Sequence, residues 1–165
     1  MKTIIDSEQF VRTLKRMTHE IIERNEDLSK IVLVGIERKG TPIAKEIKRL
    51  IKVFEDEEVL LATIDIPSHR DVDHRIDSKE LKFNEDINGK IIILVDDVLF
   101  TGRSVRAAMD ALMEVGRPSK IELAVFIDRG HRELPIRADF IGKSVPTSKN
   151  ELIICDFVNK EVILK

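Results

Sequence analysis

Residues 92–104 read Ile-Ile-Leu-Val-Asp-Asp-Val-Leu-Phe-Thr-Gly-Arg-Ser. A run of aliphatic side chains stops at two adjacent carboxylates, Asp96 and Asp97. A stretch bearing hydroxyls and a glycine then leads into a segment of helical periodicity. The run has the composition of a strand buried on both faces. The block therefore predicts strand, acidic pair, turn and helix N-terminus in immediate succession. Unpaired amides and the dipole at a helix N-terminus favour a phosphate. Gly102 allows close backbone approach, and Thr101 and Ser104 add hydroxyls. The two carboxylates would repel a phosphate set on top of them, so they suit ribose hydroxyls or the hydration shell of a magnesium ion. A capping Asp pair before an ordinary turn explains each residue singly; the whole block reads better as a sugar phosphate site.

Outward from this block, apolar segments alternate with helical ones. Asp6 and Gln9 form a capping-box pattern, and Phe10, Leu14, Met17, Ile21 and Ile22 recur behind it at helical spacing, predicting a helix over 7–25. Residues 31–36 predict a fully buried strand and 37–40 a loop. Thr41 and Pro42 supply an N-cap and a first-turn proline for a helix through 52. Strands are predicted at 59–66, 91–97 and 121–128, with a helix over 104–115 closed by Gly116 and Pro118. Residues 67–88 are polar and without period, a long excursion of the kind that is usually functional or mobile. Residues 152–157 and 162–164 form a terminal strand pair. The alternation predicts a parallel α/β sheet covered on both faces, whose ligands sit beyond the strand carboxyl ends. Three loops lie there: 37–40, 96–104 and 128–131.

Composition narrows the setting. A chain of 165 residues without repeats predicts one domain, 1–165. With 28 basic against 30 acidic residues, no global field advertises nucleic acid, although a local basic face is open. Cys155 is the only cysteine, which excludes an internal disulfide and fits a reducing cytoplasm. The first residues turn charged too soon for a signal peptide. No apolar run approaches the roughly 20 residues of a membrane span.

The 92–104 block resembles the signature with which type I phosphoribosyltransferases bind 5-phosphoribosyl 1-diphosphate (PRPP). More narrowly, the chain resembles the PyrR family, regulators of pyrimidine-operon attenuation that also carry uracil phosphoribosyltransferase activity. The likeness extends to Arg-Met-Thr-His-Glu-Ile-Ile-Glu-Arg-Asn at 16–25, Val-Gly-Ile at 34–36, Met-Asp-Ala-Leu at 109–112 and Val-Gly-Arg-Pro-Ser at 115–119. The most particular run is Asp-Arg-Gly-His-Arg-Glu-Leu-Pro-Ile-Arg-Ala-Asp-Phe-Ile-Gly-Lys at 128–143.

The resemblance implies a central, mostly parallel twisted sheet flanked by helices, with a small hood. It implies that Asp96 and Asp97 hold the ribose hydroxyls. Val98, Leu99, Phe100, Thr101, Gly102, Arg103 and Ser104 would surround the 5-phosphate, and Arg38, Lys39 and Gly40 would form the pyrophosphate loop. Asp97 and Arg70 are the implied catalytic residues. Magnesium would arrive on PRPP, with no direct protein ligands. The implied reaction is uracil plus PRPP giving UMP and pyrophosphate, with UMP or UTP as regulatory ligands. The implied partner is the leader mRNA of a pyrimidine operon, bound by Arg16, His19, Arg24, His131, Arg132, Arg137 and Lys143 on a homodimer or higher oligomer. On charge alone, the helical stripe of Arg12, Lys15, Arg16 and His19 reads as a solvated face.

One stretch departs from the family. Relatives carry Asp-Ile-Thr-Leu-Tyr-Arg-Asp-Asp at the start of a loop that closes over PRPP; residues 65–72 here are Asp-Ile-Pro-Ser-His-Arg-Asp-Val. Arg70 and Asp71 persist, but the Thr-Leu-Tyr portion does not, and the stretch up to Gly89 is shorter than expected. Weakened turnover with retained nucleotide binding is one expectation, and loop drift with full activity is the other. A dedicated nucleobase salvage enzyme without RNA binding, even one taking a purine, is the alternative to the regulator. A ligand-binding regulator without turnover is a third reading.

Overall fold

In chain order the elements are β1 (Lys2–Ile5), α1 (Ser7–Arg24), a 3-10 turn (Leu28–Lys30), β2 (Ile31–Ile36), α2 (Gly40–Glu55), β3 (Leu60–Asp65), β4 (Glu80–Lys82), β5 (Ile91–Leu99), α3 (Arg103–Val115), β6 (Lys120–Asp128), β7 (Phe140–Ser144), β8 (Ile153–Asp156) and β9 (Glu161–Leu164). The structure is a computed structural model and describes residues 1–66 and 80–165.

The main sheet has the order β4-β3-β2-β5-β6-β7. Strands β3, β2, β5, β6 and β7 run parallel, and β4 lies antiparallel on the β3 edge. All six residues of β2 are buried, as required of a strand with helices on both sides. Alternation sorts the side chains into two layers. Ile31, Leu33, Ile93, Val95, Ala124 and Phe126 face α1 and α2, whereas Val32, Val34, Ile92, Leu94, Leu123 and Val125 face α3. Beyond the first layer, β1, β9 and β8 form a separate antiparallel sheet that packs Ile5, Ile153, Cys155 and Val162 into the same core.

The helices follow from local signals. In α1, the Gln9 amide donates to Asp6 Oδ1 at 2.9 Å, and the Asp6 amide donates to Gln9 Oε1 at 3.2 Å, so the expected capping box forms. Phe10, Leu14, Met17 and Ile21 line its buried face. Helix α2 differs from expectation. It begins at Gly40 after Lys39 with no side-chain cap, so Thr41 lies inside the first turn and its buried hydroxyl caps nothing. Pro42 is tolerated there because first-turn amides have no intrahelical partner. The helix runs three residues past the expected end and stops at Asp56 in the left-handed region. Gly116 ends α3 as extended backbone rather than as a left-handed cap. A Cβ there would lie 2.8 Å from Ile87 Cγ1, so crowding is the reason for glycine at that position.

Three strands depart from the sequence reading. The terminal pair is three-stranded, because β1 joins β9 from the opposite end of the chain. Strand β7 begins inside the 128–143 run and ends one residue beyond it, and β4 interrupts the predicted excursion. The β6–β7 crossover, 129–139, carries no helix, yet it returns to β7 in parallel register with Ala124 opposite Phe140. No helix among the described residues is long and apolar enough to cross a membrane.

The tightest contact is between the start of α2 and the end of β5. A Cβ built on Gly40 would lie 2.2 Å from the Val95 carbonyl oxygen and 3.1 Å from Asp96 Cα. Because backbone on both sides must shift to admit a methyl group, Gly40→Ala is expected to destabilise the fold by about 1–3 kcal/mol. Urea denaturation of the two proteins measures this as a lowered midpoint at unchanged slope.

Candidate functional site

Parallel pairing sets Gly35 opposite Val95, so β2 and β5 deliver their carboxyl ends side by side. The chain leaves β2 at Ile36. The Glu37 amide donates to the Ile64 carbonyl at 2.8 Å, and the Glu37–Arg38 peptide is cis. Arg38 and Lys39 are exposed on this turn, and Gly40 then presses onto Val95. Strand β5 continues to Leu99, carrying Asp96 and Asp97 past the neighbouring loop.

Asp96 is buried, at 9% exposure, and Asp97 is half-buried. Asp96 Oδ1 accepts from the Asp97 amide, and Asp97 Oδ1 accepts from the Val98 amide, each at 2.8 Å. Burial pushes the Asp96 carboxyl well above the usual carboxylate range, and the neighbouring Asp97 charge adds to this. Cys155, delivered by β8, packs into the core on the α1–α2 side. Its thiol is pushed upward by burial first and by the Asp97 charge next, with Lys39 opposing.

After β5 comes the turn. Gly102 has φ +91° and stands as N-cap of α3, a conformation that favours glycine. The Arg103 amide donates to Thr101 Oγ1 at 3.3 Å, and the Thr101 carbonyl accepts from the Glu133 amide at 3.0 Å. Arg103 is committed sideways to Glu133, Nε to Oε1 at 3.0 Å. The turn therefore offers helix N-terminal amides and small polar side chains, the chemistry that suits a phosphate monoester.

The third loop leans on the second. The Arg129 amide donates to the Leu99 carbonyl at 3.1 Å, and the Gly130 amide donates to Asp128 Oδ1 at 3.1 Å. The Arg129 guanidinium lies over the Phe100 ring, 4.1 Å from its centroid, and His131 meets that ring edge-on at 5.9 Å. Arg132 pairs with Asp128 at 3.5 Å. Sequence reading missed Arg129, because a cation between Asp128 and Gly130 at a strand end is indistinguishable from a solvated loop residue.

The basic residues do not gather in one place on the chain. Arg16 pairs with Glu20 and donates to the Ile141 and Gly142 carbonyls, pinning α1 to β7. Lys143 donates to the Ile4 carbonyl at 3.2 Å and borders a cleft with Arg12 and Arg16. His19 is exposed but stacks on Phe54, with centroids 4.2 Å apart. Arg24 neutralises nearly buried Glu122 at 2.8 Å and reaches Asp139 at 3.3 Å. His131 and Arg132 sit at the rim, beside the α3 turn. Arg137 is exposed and has no hydrogen bond or ion pair among the described residues. Arg70 lies outside the described residues, as does Asp71. Among the described residues, no group of three or more His, Cys, Asp or Glu can hold a metal ion. Two carboxylates alone are too few for a magnesium site made of protein ligands, but they suit an ion that brings its own oxygens.

Comparison with known proteins follows the same lines. Residues 1–157 match the family model of the phosphoribosyl transferase domain. The chain is 53% identical over 154 residues to the bifunctional protein PyrR of Clostridium acetobutylicum, covering 91% of this chain and 86% of that protein. It is 49% identical over 154 residues to the bifunctional protein PyrR of Thermus aquaticus, covering 91% and 85%. Against the PyrR of Actinobacillus pleuropneumoniae the identity is 45% over 174 aligned positions, covering 99% and 97%, so that alignment carries gaps on this chain's side. Among solved structures, a hypoxanthine-guanine phosphoribosyltransferase of Bacillus anthracis superposes with TM-score 0.75 at 21% identity, covering 93% of this chain and 85% of that one. A hypoxanthine phosphoribosyltransferase of Trypanosoma cruzi superposes with TM-score 0.79 at 16% identity, covering 99% and 90%. At those identities the two structures speak to the fold alone.

The Asp96 environment has a measurable consequence. A carboxyl whose pKa folding raises contributes stability below its ordinary value, 3.8, and that contribution is lost as pH climbs through the raised value. Near neutrality, folding must therefore either bury the Asp96 charge or take up a proton. Asp96→Asn removes that cost while keeping an oxygen for the Asp97 amide. The variant is expected to melt higher than the wild type near neutrality in the unliganded state, and the difference should vanish as pH falls to 3.8 and below. Thermal denaturation across this range checks it; a constant difference would contradict the assignment.

Proposed function

The chain belongs to the PyrR family of phosphoribosyl transferase domain proteins, and on that footing we propose that it regulates pyrimidine biosynthesis genes by UMP-dependent binding to operon leader mRNA and makes UMP from uracil and PRPP. The observation that carries the reading is the succession at the end of β5: two carboxylates, then a glycine-bearing turn on a helix N-terminus, set against the exposed Arg38 and Lys39 by the Gly40–Val95 contact.

In the reaction, the bond from ribose C1′ to the diphosphate oxygen breaks and a bond from C1′ to uracil N1 forms. The N1 proton and pyrophosphate leave. The transition state is oxocarbenium-like, so holding and charge stabilisation contribute more than a protein nucleophile. Asp96 and Asp97 hold the ribose hydroxyls, and Asp97 is the more accessible to the reacting centre. Thr101, Gly102 and Ser104, with Val98, Leu99, Phe100 and Arg103 as their frame, receive the 5-phosphate. Arg38, Lys39 and Gly40 meet the diphosphate. Asp97 is the carboxylate at hand for the hydration shell of a magnesium ion carried on PRPP, which would supply charge neutralisation for the diphosphate. Arg70, outside the described residues, is the second catalytic residue of this reading. The setting is the cytoplasm, the ligands are PRPP, uracil and UMP or UTP, and the assembly is a homodimer or a higher homo-oligomer.

RNA binding uses exposed basic residues from two regions: Arg16, His19, Arg24 and Lys143 around α1 and β7, and His131, Arg132 and Arg137 on the 129–139 crossover. Several are already engaged within the chain, so the unpaired Arg137 is the most available for a phosphate or a base edge. UMP in the pocket and RNA on this surface favour one another equally, by linkage.

Two measurements test these assignments. Arg137→Gln is expected to weaken binding to an operon-leader RNA hairpin about tenfold at fixed salt, the effect of losing one charged hydrogen bond. UMP affinity, followed by calorimetry, should stay unchanged; equal RNA affinity in both proteins would remove Arg137 from the surface. The altered 65–72 sequence is expected to lower kcat for UMP synthesis on the order of 10²-fold relative to the PyrR proteins with the longer loop, as imperfect closure and positioning do. A steady-state assay with uracil and PRPP reads this directly, and turnover equal to the relatives' would reject it.

A further inference from the structure

Arg129 is the one buried arginine of the described residues, at 6% exposure. Taking a guanidinium out of water is costly unless each edge finds a partner. Here Nε donates to Thr147 Oγ1 at 3.0 Å, and Nη2 donates to the Ser148 carbonyl at 2.9 Å and the Glu151 carbonyl at 2.8 Å. The flat face rests on Phe100. Among the described residues no carboxylate pairs with it; Asp128, its neighbour in sequence, is given over to Arg132 and Gly130. The Thr147 hydroxyl in turn donates to the Arg129 carbonyl at 3.1 Å, and the Thr147 carbonyl meets the His131 ring nitrogen.

These contacts join three segments distant in sequence. Phe100 belongs to the turn that leads into α3. Residues 129–132 form the rim that carries His131 and Arg132. Residues 147–151 lead directly into β8, which packs Ile153 and Cys155 into the core. Without Arg129 the 147–151 stretch would be tied to the rim only through Thr147 and His131, and the Phe100 ring would lose its cationic floor.

We propose that Arg129 is a positioning residue that makes the phosphate turn, the basic rim and the small covering sheet move as one body, so that nucleotide in the pocket is felt at His131 and Arg132 through this side chain. The inference rests on the nucleotide and RNA reading above and deepens it by naming the physical link. A ligand that orders the turn displaces or fixes the Phe100 ring. The ring is clasped by Arg129 and His131 together, and the guanidinium fork carries the change to two backbone carbonyls of the covering segment. The Arg129–Phe100 contact is partly desolvated, which strengthens it beyond an exposed cation–π pair.

Hydrogen exchange measured by mass spectrometry, with and without UMP, tests the link in wild type, Arg129→Met and Arg129→Lys. In the wild type UMP is expected to slow exchange in three peptides, those covering 97–104, 129–133 and 147–152. In Arg129→Met the first should still respond, and the response of the other two should fall by half or more. Arg129→Lys keeps the charge without the fork, so it should be intermediate; it also carries the comparison if the methionine variant does not fold. Undiminished UMP response at 129–133 in whichever variant folds would overturn the proposal. Absence of any UMP response at 97–104 in the wild type would instead overturn the pocket reading on which it stands. A merely structural role for Arg129 would speed exchange at 129–133 and 147–152 equally with and without UMP, leaving the UMP response intact, and that outcome also rejects the link.

Discussion

The Val95 carbonyl oxygen sets the spacing of everything at the rim. It sits where a side chain on Gly40 would have to be, so the first turn of α2 rests on β5 with backbone against backbone. A second close approach repeats the device on the neighbouring strand: a Cβ on Gly35 of β2 would fall 2.7 Å from Thr41 Cα. With those two glycines in place, packing joins the Glu37 amide–Ile64 carbonyl bond in holding the loop bearing Arg38 and Lys39 beside Asp96. Loop polarity is thereby left free for a ligand, as expected where a scaffold rather than the loop supplies the rigidity. The parallel register of β2 with β5 transmits the same constraint to the sheet, because sliding either strand would drive Gly40 into a carbonyl.

Around that fixed point, ionised groups are treated in two ways. Asp96 is buried beside another carboxylate, and burial and that neighbouring charge raise its pKa. Hydroxyl donors of a bound sugar are the natural relief. Arg129 is equally buried, yet its donors are met by carbonyls and a hydroxyl and its face by a ring. One charge is left wanting a partner and the other is supplied with several. On the proposed reading, that contrast separates a group placed for a ligand from a group that holds the frame. Glu122 belongs with the frame, since Arg24 closes over it from α1.

What could be read from the sequence was what local periodicity encodes. Strands buried on both faces gave uninterrupted aliphatic runs, and the Asp6–Gln9 pattern and the three- and four-residue spacing of Phe10, Leu14, Met17 and Ile21 placed α1 to within a residue. The position of Asp96 and Asp97 at a strand end beside a helix N-terminus was legible for the same reason. What escaped depends on distant partners. Strand β1 has four residues, and its partner is β9, at Lys2 opposite Leu164. Strand β7 hides in a charged run because the Phe140–Ser144 segment buries only Phe140 fully. The start of α2 was misplaced because Thr41-Pro42 looks like a cap, whereas the Gly40 contact with β5 decides where the turn begins. Arg129 was invisible because its burial arises from Phe100 and from residues 147–151, not from its own neighbours. The family likeness named the ligand chemistry, which spacing alone left as a generic sugar phosphate.

The covering strand β8 has a practical corollary. Cys155 is the only thiol in the chain; it is 4% exposed, and burial pushes its thiol pKa upward. A thiol held in its protonated form without solvent access reacts slowly with alkylating and oxidising reagents. The native protein is thus a ready-made cysteine-free background for spectroscopy. A single cysteine introduced on an exposed surface can carry a fluorophore or spin label while the native thiol stays silent, and exposure of Cys155 to such a reagent becomes a chemical clock for opening of the small sheet.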